Sequence, residues 1–185
     1  MQENYIRSVK NQFQYYKLLG EKTFDQLNEK DLFKGYNSES NSIAVIVNHL
    51  QGNMKSRWTD FLTSDGEKKW RNRDLEFELE LKTKEELIVK WNQGWECLFV
   101  ALNSINNSNF DTKIYIRNQT HSIVEAINRQ IMHYAYHIGQ IVYIGKMFKD
   151  NNWISLSVPK GKSEELNHQK FSKGKHKGHF TDDFK

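Results

Sequence analysis

Pro159 is the only proline in 185 residues, and this scarcity limits the available folds more than any other feature. Proline removes a helical hydrogen bond and clashes with the preceding turn, so the whole stretch before it is free to run in long helices. A turn-rich β-sandwich is disfavoured. Apolar side chains recur at three- and four-residue intervals in four segments, the spacing that lines one face of a helix. Ile6, Val9, Phe13, Tyr16, Gly20, Phe24 and Leu27 predict a first helix over about 4–29. The polar run Asn37–Ser42 has turn and N-cap chemistry, so a second helix is expected from Ile43 to about Leu62, ended by Asp65-Gly66. Thr83 with Glu86 forms a capping-box pattern ahead of Leu87, Trp91, Trp95, Leu98, Leu102 and Ile105, predicting a third helix over about 84–106. Ser122 with Glu125 repeats the pattern and opens a fourth, about 123–149, with Ile127, Gln130, Ile131, Tyr134, Ile138, Ile141 and Ile144 facing inward.

The connections are less regular. Glu67–Lys82 is charged but carries Trp70, Arg71, Arg73, Phe77 and Leu79, too aromatic for a free linker, and is expected to pack on the helices. Thr112–Arg117 alternates polar and apolar around Ile114 and Ile116, a short extended piece or small hairpin before helix four. Past Trp153 the chain turns polar. The predicted fold is all-α, a four-helix bundle over residues 1–158 with a Lys- and His-rich tail over 159–185, read as a solvated appendage.

Charge and cysteine content exclude several function classes. The net charge is +4, but the tail alone holds seven Lys against Glu164, Glu165, Asp182 and Asp183, so the body is nearly neutral. None of the six arginines lies in the tail, and phosphate and base recognition lean on arginine; nucleic-acid binding is not expected. The longest apolar run, Cys97–Leu102, falls far short of the ~20 residues that span a bilayer. The N-terminal residues lack the apolar stretch of a secretory signal. A lone cysteine, Cys97, fits a reducing compartment and is read as a small core residue. These features predict a cytoplasmic protein that does not enter a membrane.

The chemistry concentrates in His133-Tyr134-Ala135-Tyr136-His137. Residues four apart on a helix are offset by only about 40°, so the two imidazoles point the same way and can share one metal ion. The alternative is a pair of hydrogen-bonded core histidines. A metal needs a third ligand, and His49, within the most apolar part of helix two, supplies a candidate. Bundle cores build metal sites from such facing side chains. His121 and the tail residues His168, His176 and His179 lack comparable surroundings. A ferritin-like di-iron site would need Glu three residues before each histidine, where Gln130 and Tyr134 stand. A metalloprotease helix would read His-Glu-x-x-His, and no carboxylate intervenes here. Gly161-Lys162-Ser163 imitates the end of a P-loop, but Leu156 stands where its first glycine belongs.

His49 followed by His133-x-x-x-His137 and Gly139-Gln140, on four helices, resembles the DinB/YfiT-like superfamily of metal-binding bundles. Ser56-Arg57-Trp58-Thr59-Asp60-Phe61-Leu62, Trp70-Arg71-Asn72-Arg73-Asp74 and Pro159-Lys160-Gly161-Lys162-Ser163 resemble an uncharacterised bacterial subgroup of it. The likeness covers about residues 1–165. It implies a divalent ion, zinc or nickel, on His49, His133 and His137, and a homodimer. Some relatives in that superfamily transfer bacillithiol or mycothiol to electrophiles. The resemblance thus implies a metal-dependent transferase or hydrolase acting on a small molecule, with a low-molecular-weight thiol as cosubstrate. The alternative is a non-catalytic metal-binding or stress-associated interaction protein.

Three neutral imidazoles leave a coordination position open, as catalytic zinc sites do. Gln130 and Gln140 stand within a turn of the ligand pair, either to orient it or to bond elsewhere in the bundle. Arg57, Arg71 and Arg73 are read as solvated or salt-bridged surface residues, with contact to an anionic cosubstrate as the other possibility.

Overall fold

The computed structural model describes residues 2–78 and 80–184; Leu79 lies outside the described residues. The described chain is mostly helical: α1 Gln2–Gln26, α2 Glu29–Phe33, α3 Ile43–Trp58, α4 Lys84–Ser104, α5 Ile123–Lys149 and α6 Ser163–Ser172, with a β1–β2 hairpin, Lys113–Ile116 and Gln119–Ser122, ahead of α5. The four long helices α1, α3, α4 and α5 pack around one core. α3 lies mainly on α4 and α1 on α5, with α3–α5 and α1–α4 contacts closing the ring.

Side-chain chemistry sets where these helices begin. Ser42 accepts from the Val45 amide at the start of α3, and Thr83 does the same from Glu86 at α4. At α5 the capping box is complete: the Ser122 hydroxyl accepts from the Glu125 amide, and the Glu125 carboxylate accepts from the Ser122 amide at 2.7 Å. That box, followed by apolar residues at helical spacing, explains why the observed α5 coincides with the predicted 123–149. In α4 the Glu86 carboxylate reaches instead to the Lys82 amide, one residue earlier than a capping box requires.

Two helices depart from expectation. The first ends at Gln26, and Asn28 in extended conformation starts the separate short α2, which buries Leu32 completely. The second stops at Trp58 and not near Leu62. Its last turn is tied sideways: the Ser56 hydroxyl and the Arg57 guanidinium both donate to the Gly66 carbonyl, and the Lys68 amide donates back to Ser56. The chain therefore folds back through Asp60, which takes a positive φ of 46°, while Phe61 turns in against Trp58.

At the centre, Phe13 of α1, Trp95 of α4 and Tyr134 of α5 meet with ring centroids 5.7–6.3 Å apart. Trp58 of α3 joins them by donating its indole N–H to the Tyr134 hydroxyl at 3.1 Å. Tyr134 thereby links all four long helices, and it sits between His133 and His137 in sequence, fixing the rotation of α5 that aims both imidazoles. Close approach of α1 to α4 depends on Gly20, where a Cβ would stand 2.4 Å from the Trp91 ring. Cys97 is half-buried, with its thiol 3.8 Å from the Met54 carbonyl it donates to.

The predicted extended piece is a true hairpin with Ile114 and Ile116 buried against the helices. Its two-residue loop, Arg117-Asn118, has both φ values positive, 55° and 61°, the conformation that the right-handed strand twist favours but that normally calls for glycine or asparagine. Asp65 compensates by accepting from both loop amides, at 2.8 and 2.7 Å, and the Gly66 amide donates to Tyr115. No described helix is long and apolar enough to cross a membrane.

The tail contains α6, none of whose residues is buried, and returns to α1 at a final 3-10 turn, Phe180–Phe184. There Thr181 is buried and His179 bonds Ser8 at 3.3 Å. With so little burial, deleting residues 166–185 is expected to shift stability by no more than about 1 kcal/mol and to leave metal content unchanged. Thermal unfolding of the truncated protein checks this, and loss of its cooperative transition would contradict it.

Candidate metal centre

His49 is buried in α3, at the centre of a helix in which nearly every side chain is buried. His133 and His137 come from one face of α5, four residues apart. The structure brings the three together: each offers one ring nitrogen, and these nitrogens lie within 4.8 Å of one another. His121, His168, His176 and His179 lie elsewhere. The grouping is compatible with a metal ion.

Hydrogen bonds decide which nitrogen each ring presents. The Glu76 carboxylate, which can only accept, lies 2.9 Å from His49 Nδ1. The Gln140 carbonyl oxygen lies 2.8 Å from His137 Nδ1. Both rings therefore carry their proton on Nδ1 and keep Nε2 as a lone-pair donor, the arrangement typical of metal-ligating histidines. His133 Nε2 stands 3.3 Å from His49 Nε2. Two bonds of about 2.0–2.1 Å to one zinc ion at a tetrahedral angle would separate their nitrogens by about 3.3–3.4 Å. The donor set and this spacing fit a divalent ion. Burial pushes the His133 ring down to about 3, helped by the neighbouring His137 and His49 and by Arg57 and Arg71. Burial likewise lowers His137 to about 4, against the opposing bond to Gln140. Both rings are neutral, and hence competent ligands, at pH 7.

Behind His49 lies a buried ionic network. Arg71 grips Glu76 with two bonds, Nε–Oε1 at 2.7 Å and Nη2–Oε2 at 2.9 Å, while the Asn48 side-chain Nδ2 donates to the Glu76 main-chain carbonyl. Burial would raise the Glu76 carboxyl, but the bonds from His49 and Arg71 outweigh it and hold the group below the usual range. Glu67 takes three guanidiniums, Arg57, Arg71 and Arg117. Gly52, one turn after Asn48, leaves the space Glu76 needs: a Cβ there would stand 2.3 Å from Glu76 Oε1. Phe77 stacks on the His49 ring with centroids 4.7 Å apart, and the Arg73 guanidinium lies 5.0 Å above Phe77.

The three histidines open onto a cleft of about 400 Å³ lined by Arg57, Arg71, Arg73, Arg117 and Arg129, five of the six arginines in the chain. The expectation of surface arginines is corrected for two of them. Arg57 and Arg71 have side chains only 7% and 2% exposed and serve the buried network, whereas Arg73 is 53% exposed. His121 has an unforeseen role: its Nδ1 donates to the Gln119 carbonyl, leaving Nε2 to accept from Arg129 at 3.2 Å. Gln140 orients a histidine, while Gln130 is buried with its carbonyl oxygen unpartnered among the described residues.

Glu76, Glu67, Gly52, Arg117 and Arg129 escaped sequence reasoning because no local pattern marks them. Glu76 lies 27 positions from His49 in a connection without periodicity.

No curated protein and no solved structure matches this chain. A family model, described as protein of unknown function (DUF1572), matches residues 1–162, and the chain belongs to that family.

Proposed function

We propose that this protein is a metal-dependent enzyme of the DinB-like four-helix-bundle type, which binds one divalent ion, zinc or nickel, through His49, His133 and His137. It transfers a small thiol to an electrophile. The observation that carries the reading is the convergence of three imidazoles on one point, with His49 and His137 tied back through Nδ1, at the floor of an open cleft. A structural zinc site closes its coordination sphere with four protein ligands; three ligands facing a cleft match the catalytic kind.

A divalent ion bound there would supply Lewis acidity, favouring the thiolate form of a thiol at neutral pH. The chain's own residues do the rest. Glu76 and Gln140 hold two rings in the tautomer that keeps Nε2 free, and Tyr134, locked by Trp58, keeps α5 from rotating. No carboxylate lines the cleft among the described residues, so the thiol proton leaves to solvent and not to a side-chain base. The sulfur then bonds the electrophilic carbon as that carbon's leaving group departs with its electron pair. Self-association as a homodimer is part of the reading. It is supported by an exposed stripe on α5, Met132, Tyr136, Tyr143 and Met147, at intervals that keep to one helix face.

Titrating the cobalt-substituted protein with bacillithiol tests the function directly. Entry of sulfur into the coordination sphere is expected to change the visible ligand-field spectrum and to release a proton. An unchanged spectrum at saturating thiol would remove the thiol-transfer reading.

A further inference from the structure

The cleft above the three histidines is far more cationic than metal binding requires. Five guanidiniums line it and no carboxylate does, among the described residues. The acids behind the wall do not balance them, for Glu67 alone is shared by Arg57, Arg71 and Arg117 and Glu76 is taken by Arg71. Asp74, 3.9 Å from Arg73, is 95% exposed and weakly coupled. Arg73, Arg117 and Arg129 thus keep donors facing the opening. Each is held in place: Arg73 over the Phe77 ring, itself part of the cleft lining, Arg117 on the strained hairpin loop that Asp65 secures, and Arg129 against His121. A loop with an arginine at positive φ carries backbone strain that needs such an external clamp.

A second observation also points to a ligand. Five buried side-chain polar atoms lack a partner among the described residues, and three of them, Arg57 Nε, Gln130 Oε1 and His133 Nδ1, belong to side chains lining this cleft. Buried polar groups are normally satisfied, and these three come from α3 and α5 around the histidines, so the side chains lining the cleft hold polar capacity that the described residues leave unused. Surplus guanidinium charge calls for the oxygens of an anion. The volume of about 400 Å³ restricts that anion to a small molecule.

We propose that the substrate or cosubstrate of this site is a small anion whose carboxylate or phosphate group docks on Arg73, Arg117 and Arg129 while its reactive end faces the histidines. This inference rests on the metal-centre reading for its orientation, and its test separates the two. Full-length protein, metal-free and zinc-loaded, is titrated with succinate and, separately, with inorganic phosphate. Butane-1,4-diol serves as the uncharged match to succinate. Binding is followed through the arginine Nε–H signals in nitrogen-15 NMR spectra, and zinc content is measured independently.

Saturable binding is expected for one or both anions and not for the diol; the stronger anion identifies the charged group. Arg73→Gln, Arg117→Gln and Arg129→Gln are each expected to weaken binding about tenfold, since each removes a charge-assisted hydrogen bond. The triple variant is expected to lose saturable binding with zinc content unchanged, while Arg7→Gln on α1 behaves as wild type. Wild-type protein that binds zinc but neither anion, or a triple variant that binds as wild type, overturns the proposal. Arginine-dependent anion binding by protein that takes up no zinc sustains the docking site and overturns the metal-centre reading instead.

Discussion

Replacing His133 and His137 together with alanine is expected to abolish stoichiometric divalent-metal binding, and with it the difference in melting temperature between zinc-loaded and chelator-treated protein. Two of the three proposed ligands then go, and His49 alone cannot hold an ion against water. In the wild type, an ion bound only by the folded state adds about 4 kcal/mol when present at ~1,000 times its dissociation constant. For a chain of this size each kcal/mol moves the midpoint by about 2–4 °C, so a chelator is expected to lower it by on the order of 10 °C. The metal-free double variant is expected to lose some stability of its own, since His137 is buried and donates to Gln140, so the deciding quantity is each protein's own difference between zinc-loaded and chelator-treated states. His121→Ala leaves metal content unchanged, since that ring turns toward Arg129. Metal analysis after purification without added metal, paired with thermal scans, decides the matter; stoichiometric metal in the double variant would overturn the ligand assignment.

The parts legible in the sequence share one property: their determinants lie within a few residues of one another. The capping box at Ser122 and Glu125 and the apolar series from Ile127 to Ile141 are local, and α5 lies where they place it. The His133–His137 pair is local too, and His49 stood out as one imidazole in an apolar helix. The features that escaped depend on distant partners. Nothing near Trp58 says that α3 must stop, because the Ser56 and Arg57 bonds reach forward to Gly66. The break at Asn28 and the return of Thr181 to α1 are likewise decided by packing. Arginines at 57, 71, 73, 117 and 129 are scattered along the chain, and only folding gathers them around one cleft.

Glu76→Ala is expected to produce a large loss of stability, although Glu76 is not a candidate ligand. It would leave Arg71, with a side chain 2% exposed, facing His49 without the carboxylate that both bond. Removing one partner of a buried ion pair costs about 3–5 kcal/mol, and because Arg71 keeps its longer bonds to Glu67, at 3.3 and 3.4 Å, the loss is expected at the lower end of that range. Metal affinity is expected to fall as well, by about 10–100-fold, the usual effect of losing the group that orients a ligating histidine. Gly52→Ala separates these effects. Its Cβ would stand 2.3 Å from Glu76 Oε1, the oxygen that accepts from Arg71 Nε, so the whole carboxylate must shift and its bonds to Arg71 and to His49 are both disturbed, while its charge stays beside Arg71. The variant should therefore lose metal affinity with a smaller loss of stability. Denaturant unfolding of the metal-free proteins measures the first quantity, and competition with a chromophoric chelator measures the second. If Gly52→Ala binds metal as wild type does, the Glu76–His49 bond does not tune the ligand, and Glu76 serves only to neutralise Arg71.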